Sequence, residues 1–476
     1  MLSEYIILNL VDILNSCGGI QLVLRGDITI QDSSTLKASR FNVRVADGEY
    51  LRLYNSYTGK ISKFTGGEAE IVDELLKVRD LEAVESQDEI RSGLIQHLQN
   101  KGFLVKNRVN EFQLATAQKY NMLAENRMLQ LIILPNEDCN FRCTYCYEDF
   151  LKSEMKESVQ QGILNFLERN VKNYSRLLIS WFGGEPLKSF DVIKRMSAPI
   201  KEICAKYNVQ YHANITTNGY LLNSETFEEL LEMNVRSFQI TLDGTAETHD
   251  SYRVGRFGEK TFDTIFSNLL KMKQSDKPFN VVLRSNINQE VSTVMDNYIS
   301  LVSSAFVDDP RFMLHFVPIQ NLKGEQTADI HLCDTKMLFP FYEKAKEKGF
   351  NFDFYKQYLR PGGSECYASS PSSCVIGSDG MIYKCTVAFN NPMNHVGDIL
   401  ENGDMVIDQE KWSLWVTGGV NEDASCTKCF FRPSCQGNAC PLERIETGAT
   451  PCPPVKKSIK KYITLVNEDY AYEPSV

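Results

Sequence analysis

Three cysteines, Cys139, Cys143 and Cys146, fall within the stretch CNFRCTYCYE, which closes off the apolar run LQLIILP. No histidine stands among them, and the next cysteine downstream is Cys204. Zinc sites use thiolate pairs two to four residues apart and four ligands in all, so three thiols make an incomplete cage. A four-iron, four-sulfur cube is normally held by four thiolates. With three, one iron keeps a coordination position for a small molecule. A second array lies towards the C-terminus: Cys366, Cys374, Cys385, Cys426, Cys429, Cys435, Cys440 and Cys452. Cys17, Cys204 and Cys333 stand apart and are expected to pack as small hydrophobes. A disulfide framework belongs to small secreted chains, which a chain of 476 residues is not.

Something must position the first trio. From Leu129 to about Pro318 one pattern repeats: a short apolar run, a polar or Gly-rich stop, then a segment of helical period. The runs are LQLIILP, RLLISWF, QYHANI, SFQITL, NVVLRS and RFMLHFVP, which read as parallel strands buried on both faces. Between them, Val159, Ile163, Phe166 and Leu167 share one helical face, as do Phe262, Ile265, Phe266 and Leu269. Six alternations of strand and helix predict a βα barrel or part of one. Chemistry in such folds sits at the C-terminal ends of the strands. Here the first five runs lead in turn to Cys139–Cys146, GGEP, TTNG, DG and SNIN.

Before the barrel, SRFNVRV-ADGE-YLRLYNSYTGKISKF predicts a hairpin turning at ADGE. Helices follow around EAEIVDELL and EIRSGLIQHLQN, then a short strand at KGFLV, which together suggest a small winged-helix-like module. The first 38 residues give no such signal. A net charge of -10 without a basic stripe excludes a nucleic-acid backbone as main partner. KKSIKK near the C-terminus reads as a solvated helical face. No apolar run approaches a membrane span, and the start lacks the marks of a signal peptide, so a cytoplasmic protein is expected.

The spacing CxxxCxxC, with Tyr145 before its last cysteine and its place after the first strand of a βα array, resembles the radical S-adenosylmethionine (SAM) superfamily. The resemblance implies that the fourth ligand of a 4Fe-4S cluster is SAM. WFGGEPL resembles the family's glycine motif, implying that Gly183, Gly184 and Glu185 hold the SAM ammonium. It further places Thr216 and Asn218 of TTNG and Thr241 of TLDG at the cofactor, and pairs Arg253 with the SAM carboxylate. The C-terminal array resembles the family's SPASM extension, with four rather than the usual three residues before Cys440. By that likeness Cys366, Cys385 and Cys440 bind one auxiliary 4Fe-4S cluster, and Cys426, Cys429, Cys435 and Cys452 another. Cys374 is either the fourth ligand of the first auxiliary cluster or a core thiol. Read from the cysteines alone, a zinc loop and zinc ribbons compete, the latter implying a non-enzymatic adaptor.

The implied fold is α/β: residues 1–125 as a peptide-recognition-like module, 126–345 as a partial (β/α)6 TIM-type barrel, and 346–476 as a SPASM domain. The implied activity is maturation of a ribosomal precursor peptide by thioether or carbon–carbon cross-linking. The first module would grip the leader, and a flavodoxin- or ferredoxin-type protein would supply electrons. An anaerobic sulfatase-maturing oxidase is the alternative. That branch usually begins close to its cysteine loop and places an acid where this chain has Thr386. Anaerobic reconstitution with iron and sulfide is expected to load about twelve irons per chain. Four or fewer, or zinc in their place, would reject three clusters.

Overall fold

Period-two alternation in NVRVAD and YLRLYN builds the first sheet. A computed structural model of the chain describes residues 35–471, apart from 49, 79–80, 82–87, 126, 323–330 and 419–422. Cys17 lies outside the described residues. The short strand β1 (Leu36–Ala38) precedes β2 (Asn42–Asp47) and β3 (Tyr50–Asn55), which pair antiparallel through the expected turn. The hairpin then extends to β4 (Ile61–Thr65), making a meander where the sequence predicted a strand pair. Helices Gly66–Leu75 and Glu89–Asn100 follow, the second capped by Asp88, whose carboxylate accepts from the amides of Ile90 and Arg91. The strand β5 (Leu104–Lys106) pairs with β1.

This module has two buried faces. Leu51, Leu53 and Phe64 pack with Val72, Leu75, Leu94 and Leu98 in a core of its own. Val43, Val45, Tyr54 and Ile61 belong instead to the main core of the chain. The module is therefore wedged against the rest of the protein, not tethered to it.

The barrel strands fall where the apolar runs predict: β6 (Met128–Asn136), β7 (Arg176–Gly183), β8 (Gln210–Thr217), β9 (Val235–Thr241), β10 (Asn280–Ile287) and β11 (Phe312–Pro318). All six are parallel and lie side by side in chain order. The connecting helices bury Val159, Ile163 and Leu167, and Phe262, Ile265 and Leu269, as their period requires. The strands are not uniformly buried on both faces, however. In β7, Leu177, Ile179 and Trp181 are buried beneath helices, while Leu178, Ser180 and Phe182 are half-buried. The inner face stays open because it surrounds a cavity.

Sequence reading missed a further extension. Four short strands, β12 (Ser373–Ile376), β13 (Met381–Tyr383), β14 (His395–Ile399) and β15 (Met405–Ile407), continue the barrel sheet beyond β6 to ten strands. A two-residue strand, β16 (Tyr470–Ala471), crosses back to pair with β4. Sheet boundaries thus cut across the expected domain boundaries. Among the described residues, no helix is long and apolar enough to cross a membrane.

One buried tyrosine pins the first module to the last. Tyr54 is fully buried, its hydroxyl 2.5 Å from the Leu359 carbonyl and 2.9 Å from the Ser434 hydroxyl. Burial pushes that hydroxyl far above its ordinary pKa, so it remains a donor. Tyr54→Phe is expected to cost about 1–3 kcal/mol in denaturant unfolding, because the Leu359 carbonyl loses a buried donor.

Candidate active site

The trio of thiols sits in irregular backbone after β6, so its shape depends on what ties it down. Amides of Arg142 and Thr144 donate to the carbonyls of Val254 and Tyr252, and that of Cys146 donates to the Cys143 carbonyl. Asp138 receives Lys188 at 2.5 Å, Arg256 at 3.0 Å and Arg142 at 3.1 Å. Burial opposes its ionisation, but hydrogen bonds from Lys188, the Cys139 amide and Arg142 outweigh burial and hold the carboxyl below its ordinary range. Asn218 reaches in from the end of β8, its Nδ2 2.8 Å from Asn140 Oδ1 and 3.8 Å from Cys139 Sγ. Burial pushes the Cys139 and Cys143 thiols up. A bound metal reverses that cost by deprotonating its thiol ligands.

The glycines of WFGGEPL set how closely two strand ends can approach. Gly183 has φ +118, and a Cβ there would meet the Asn136 carbonyl oxygen at 2.2 Å; at Gly184 it would meet that of Asp138 at 2.6 Å. They let the end of β7 press against the thiol loop, joined by Gly184 N to Asn136 O at 3.2 Å and Glu185 N to Asp138 O at 3.1 Å. Glu185 is fully buried and already accepts from Leu187 N, Thr217 Oγ1 and Asn218 N, at 2.9, 2.7 and 2.7 Å. Its carboxylate braces two strand ends from beneath.

Opposite the trio lies a buried charge network. The Tyr145 hydroxyl donates to Asp243 and accepts from Arg253 Nη1 at 2.7 Å and Asn286 Nδ2 at 3.1 Å. Asn286 N donates to Asp243 Oδ1 at 2.7 Å, and Arg253 lies 4.0 Å from Asp243. Burial pushes the Asp243 carboxyl up, against the pull of Arg253. Neutral His249 steadies this corner, accepting from Asp243 N at 3.1 Å and lying 3.2 Å from Thr261 Oγ1. Arg253 Nε is buried without a hydrogen-bond partner, a donor left for an anionic ligand. Asp243 and Asn286 were not singled out from the sequence, although both sit in the DG and SNIN strand stops.

Tyr145, Arg253 and Asn286 line a cavity of about 600 Å³, together with Gly183, Gly184, Thr216, Asn218 and Thr241. Its outer wall holds Tyr147, Arg284, Tyr367 and Thr386. A second cavity of about 750 Å³ shares Tyr147, Glu148, Phe150, Leu322 and Val387 with it and runs out over β13.

The later cysteines form two groups. Burial, and then the nearby Cys385 and Cys440, push the Cys366 thiol up to about 12. Burial also raises Cys435 to about 11, with Cys429 and Cys426 adding to it. Lys456, of the supposedly solvated KKSIKK run, instead points inward: its Nζ is 3.0 Å from Cys452 Sγ and it also interacts with Cys429. Cys374 is buried on β12 opposite Leu131, where Lys384 is the charge acting on it. Cys204 is buried in the helix Phe190–Lys206, and Cys333 lies 3.1 Å from the Ile287 carbonyl. Among the described residues, no three or more His, Cys, Asp or Glu converge as one metal ion demands. Sulfurs around one zinc stand about 3.8 Å apart, whereas a cube of irons spreads its ligands further.

Residues 133–291 match the radical SAM superfamily. The chain carries a radical SAM domain. The cysteine-type anaerobic sulfatase-maturating enzyme of Clostridium novyi is 25% identical over 336 residues, spanning 65% of this chain and 87% of that one. The radical SAM cyclopropyl synthase TigE of Paramaledivibacter caminithermalis is 23% identical over 251 residues, 45% of this chain and 52% of that one. Native anSMEcpe with bound AdoMet shares the fold, with TM-score 0.54, 18% identity, and coverage of 71% of this chain and 96% of that one. The domain's family works with a 4Fe-4S cluster and SAM. One buried and two half-buried thiols, an unpaired buried guanidinium nitrogen and an adjoining cavity fit both groups. Asp243→Asn is expected to cost about 3–5 kcal/mol in denaturant unfolding, because it strands Arg253 in the interior.

Proposed function

We propose that this radical SAM enzyme modifies a ribosomally made precursor peptide, forming a thioether or carbon–carbon cross-link. The observation that supports the reading is a cavity lined both by the first cysteine group and by Tyr367 and Thr386, the chain neighbours of Cys366 and Cys385. Tyr147 follows Cys146 in that lining. Tyr367 holds its hydroxyl 2.9 Å from both the amide and the hydroxyl of Thr386. A side chain held in this cavity lies beside the first group and these neighbours of the second, and the outer cavity leaves room for the peptide on either side of it.

Cys139, Cys143 and Cys146 would hold the cluster that binds SAM. Thr216, Asn218, Thr241 and Arg253 would orient SAM, while Tyr145 and Asp243 position the guanidinium and Glu185 braces the glycine turn. When bound, cluster and SAM supply a 5′-deoxyadenosyl radical able to take hydrogen from an unactivated C–H. Cys366, Cys385 and Cys440 would hold one auxiliary 4Fe-4S cluster; Cys426, Cys429, Cys435 and Cys452 would hold the other. The setting of Cys374 among core residues supports leaving it out, which gives the first auxiliary cluster three protein thiolates. The N-terminal module would bind the leader, and a flavodoxin- or ferredoxin-type protein would deliver electrons.

Sulfatase maturation is the second reading, favoured by the similarity to the Clostridium novyi enzyme over 336 residues. Thr386 in place of an acid, and the 138 residues before the first thiol, weigh against it. Reconstituted, reduced and oxygen-free, the full chain is expected to release 5′-deoxyadenosine from SAM. It should also remove a pair of hydrogens per cross-link from a cysteine-bearing peptide encoded beside its gene, as read by mass spectrometry. Formylglycine formation on a sulfatase peptide, with the neighbouring peptide untouched, would decide for the second reading.

A further inference from the structure

An antiparallel meander offers two outer edges to an extended peptide, and here one of them is already occupied. The inner edge of β4 pairs with β3 along its length, Tyr54↔Ile61 to Tyr50↔Thr65. Among the described residues its outer edge pairs with β16, in parallel, through Tyr470↔Ser62 and Ala471↔Lys63. The chain's own C-terminal segment thus adds a strand to the module that would recognise peptide.

That segment is fastened mainly by charge. The Ile61 amide donates to Asp469 Oδ2 at 3.0 Å, and the Asp469 amide returns a bond to the Ile61 carbonyl at 3.1 Å. Glu468 meets Arg52 at 3.1 Å and Lys63 at 3.8 Å, and Asp469 meets Lys356 at 3.2 Å. These pairs are partly exposed, so solvent screens them and each holds the segment only weakly. A two-residue ladder adds little more. Asp353 adds an anion at the start of the segment, accepting from Asn467 N at 2.7 Å and pairing with Lys356 at 3.5 Å. The edge therefore accepts an extended strand whose carboxylates face Arg52, Lys63 and Lys356, and it is closed by a weak plug.

We propose that residues 467–471 act as an own-chain plug on the outer edge of β4, standing in for an extended acidic strand that must displace them to dock there. The incoming strand must carry carboxylates for Arg52, Lys63 and Lys356 and displace β16 as it pairs. This deepens, and rests on, the reading of the N-terminal module as the leader-binding part. Strand addition to an open sheet edge supplies main-chain affinity, with flanking side chains setting selectivity. Covering the edge when no peptide is present also guards it against aggregation.

The test needs no precursor. A chain ending at Val466 and the full chain are each titrated with a labelled peptide of residues 467–476, NEDYAYEPSV, and with a version carrying Lys in place of its Glu and Asp at positions 468 and 469. Because a tethered segment competes at high effective concentration, the shortened chain is expected to bind the native peptide on the order of tenfold more tightly than the full chain. The Lys version should bind at least tenfold more weakly. Full-length Glu468→Lys, which keeps the tail but repels Arg52 and Lys63, should recover part of the gain. 5′-Deoxyadenosine release should be unchanged in all three proteins, which separates this result from failure of the cofactor site. Equal affinity of shortened and full chains, or no binding to the shortened chain, would overturn the proposal. Equal binding of the Lys version would overturn the acidic class of ligand.

Discussion

The close approach of two strand ends is the constraint on which the site depends. The thiol loop after β6 has no helix or strand of its own to hold it. It keeps its shape because β7 ends in two residues without side chains, allowing the Asn136 and Asp138 carbonyls to lie where a Cβ would otherwise be. Glu185, the next residue, then ties β7 to the Thr217–Asn218 end of β8, and Asn218 reaches back to the thiol loop. Three consecutive strand stops are thus braced into one rigid floor. A floor of that kind suits a cofactor that does difficult chemistry, since the protein contributes position and exclusion of water.

Burying Arg253 and Asp243 together is costly in itself. A hydrophobic replacement of such a pair is often neutral or stabilising, so stability alone does not account for it. Tyr145 converts the pair into a network: it takes a hydrogen bond from the guanidinium and passes its own proton to the carboxylate. The consequence is orientation. Arg253 is held with one nitrogen unspent at the cavity, and the tyrosine that holds it lies within the thiol motif, between Cys143 and Cys146. Thiol loop and guanidinium corner are thereby registered to each other by a single side chain.

Much of this was legible in the residues. Six strands could be read because each is long enough to show an apolar run and each ends in a chemically distinctive stop. The sequence did not reveal β12 to β16, because strands of two to five residues carry no readable period and their partners lie far along the chain. The bracing role of Glu185 was hidden for a related reason. A motif tells which carboxylate is near a ligand, but the count of acceptors already satisfied by Leu187, Thr217 and Asn218 exists only in the fold. Lys456 looked solvated in a run of four lysines; the turn between helices Pro454–Lys457 and Ile459–Leu465 sends it inward to Cys452.

The interleaving of the ends of the chain bears directly on how the parts communicate. Residues 373–407 extend the barrel sheet past β6, so Cys385 is carried on the same sheet as the strand that presents Cys139. The last described strand lies in the N-terminal sheet, and Tyr54 and Ser56 of that sheet bond to Leu359, Ser434 and Phe430 in the C-terminal region. Phe430 adjoins Cys429, and Ser434 adjoins Cys435. Loading metal on that group would therefore stiffen the surface against which the N-terminal module rests, since metal sites couple binding to folding. Tyr54 and Ser56 thus rest the N-terminal module on backbone that adjoins the second thiol group.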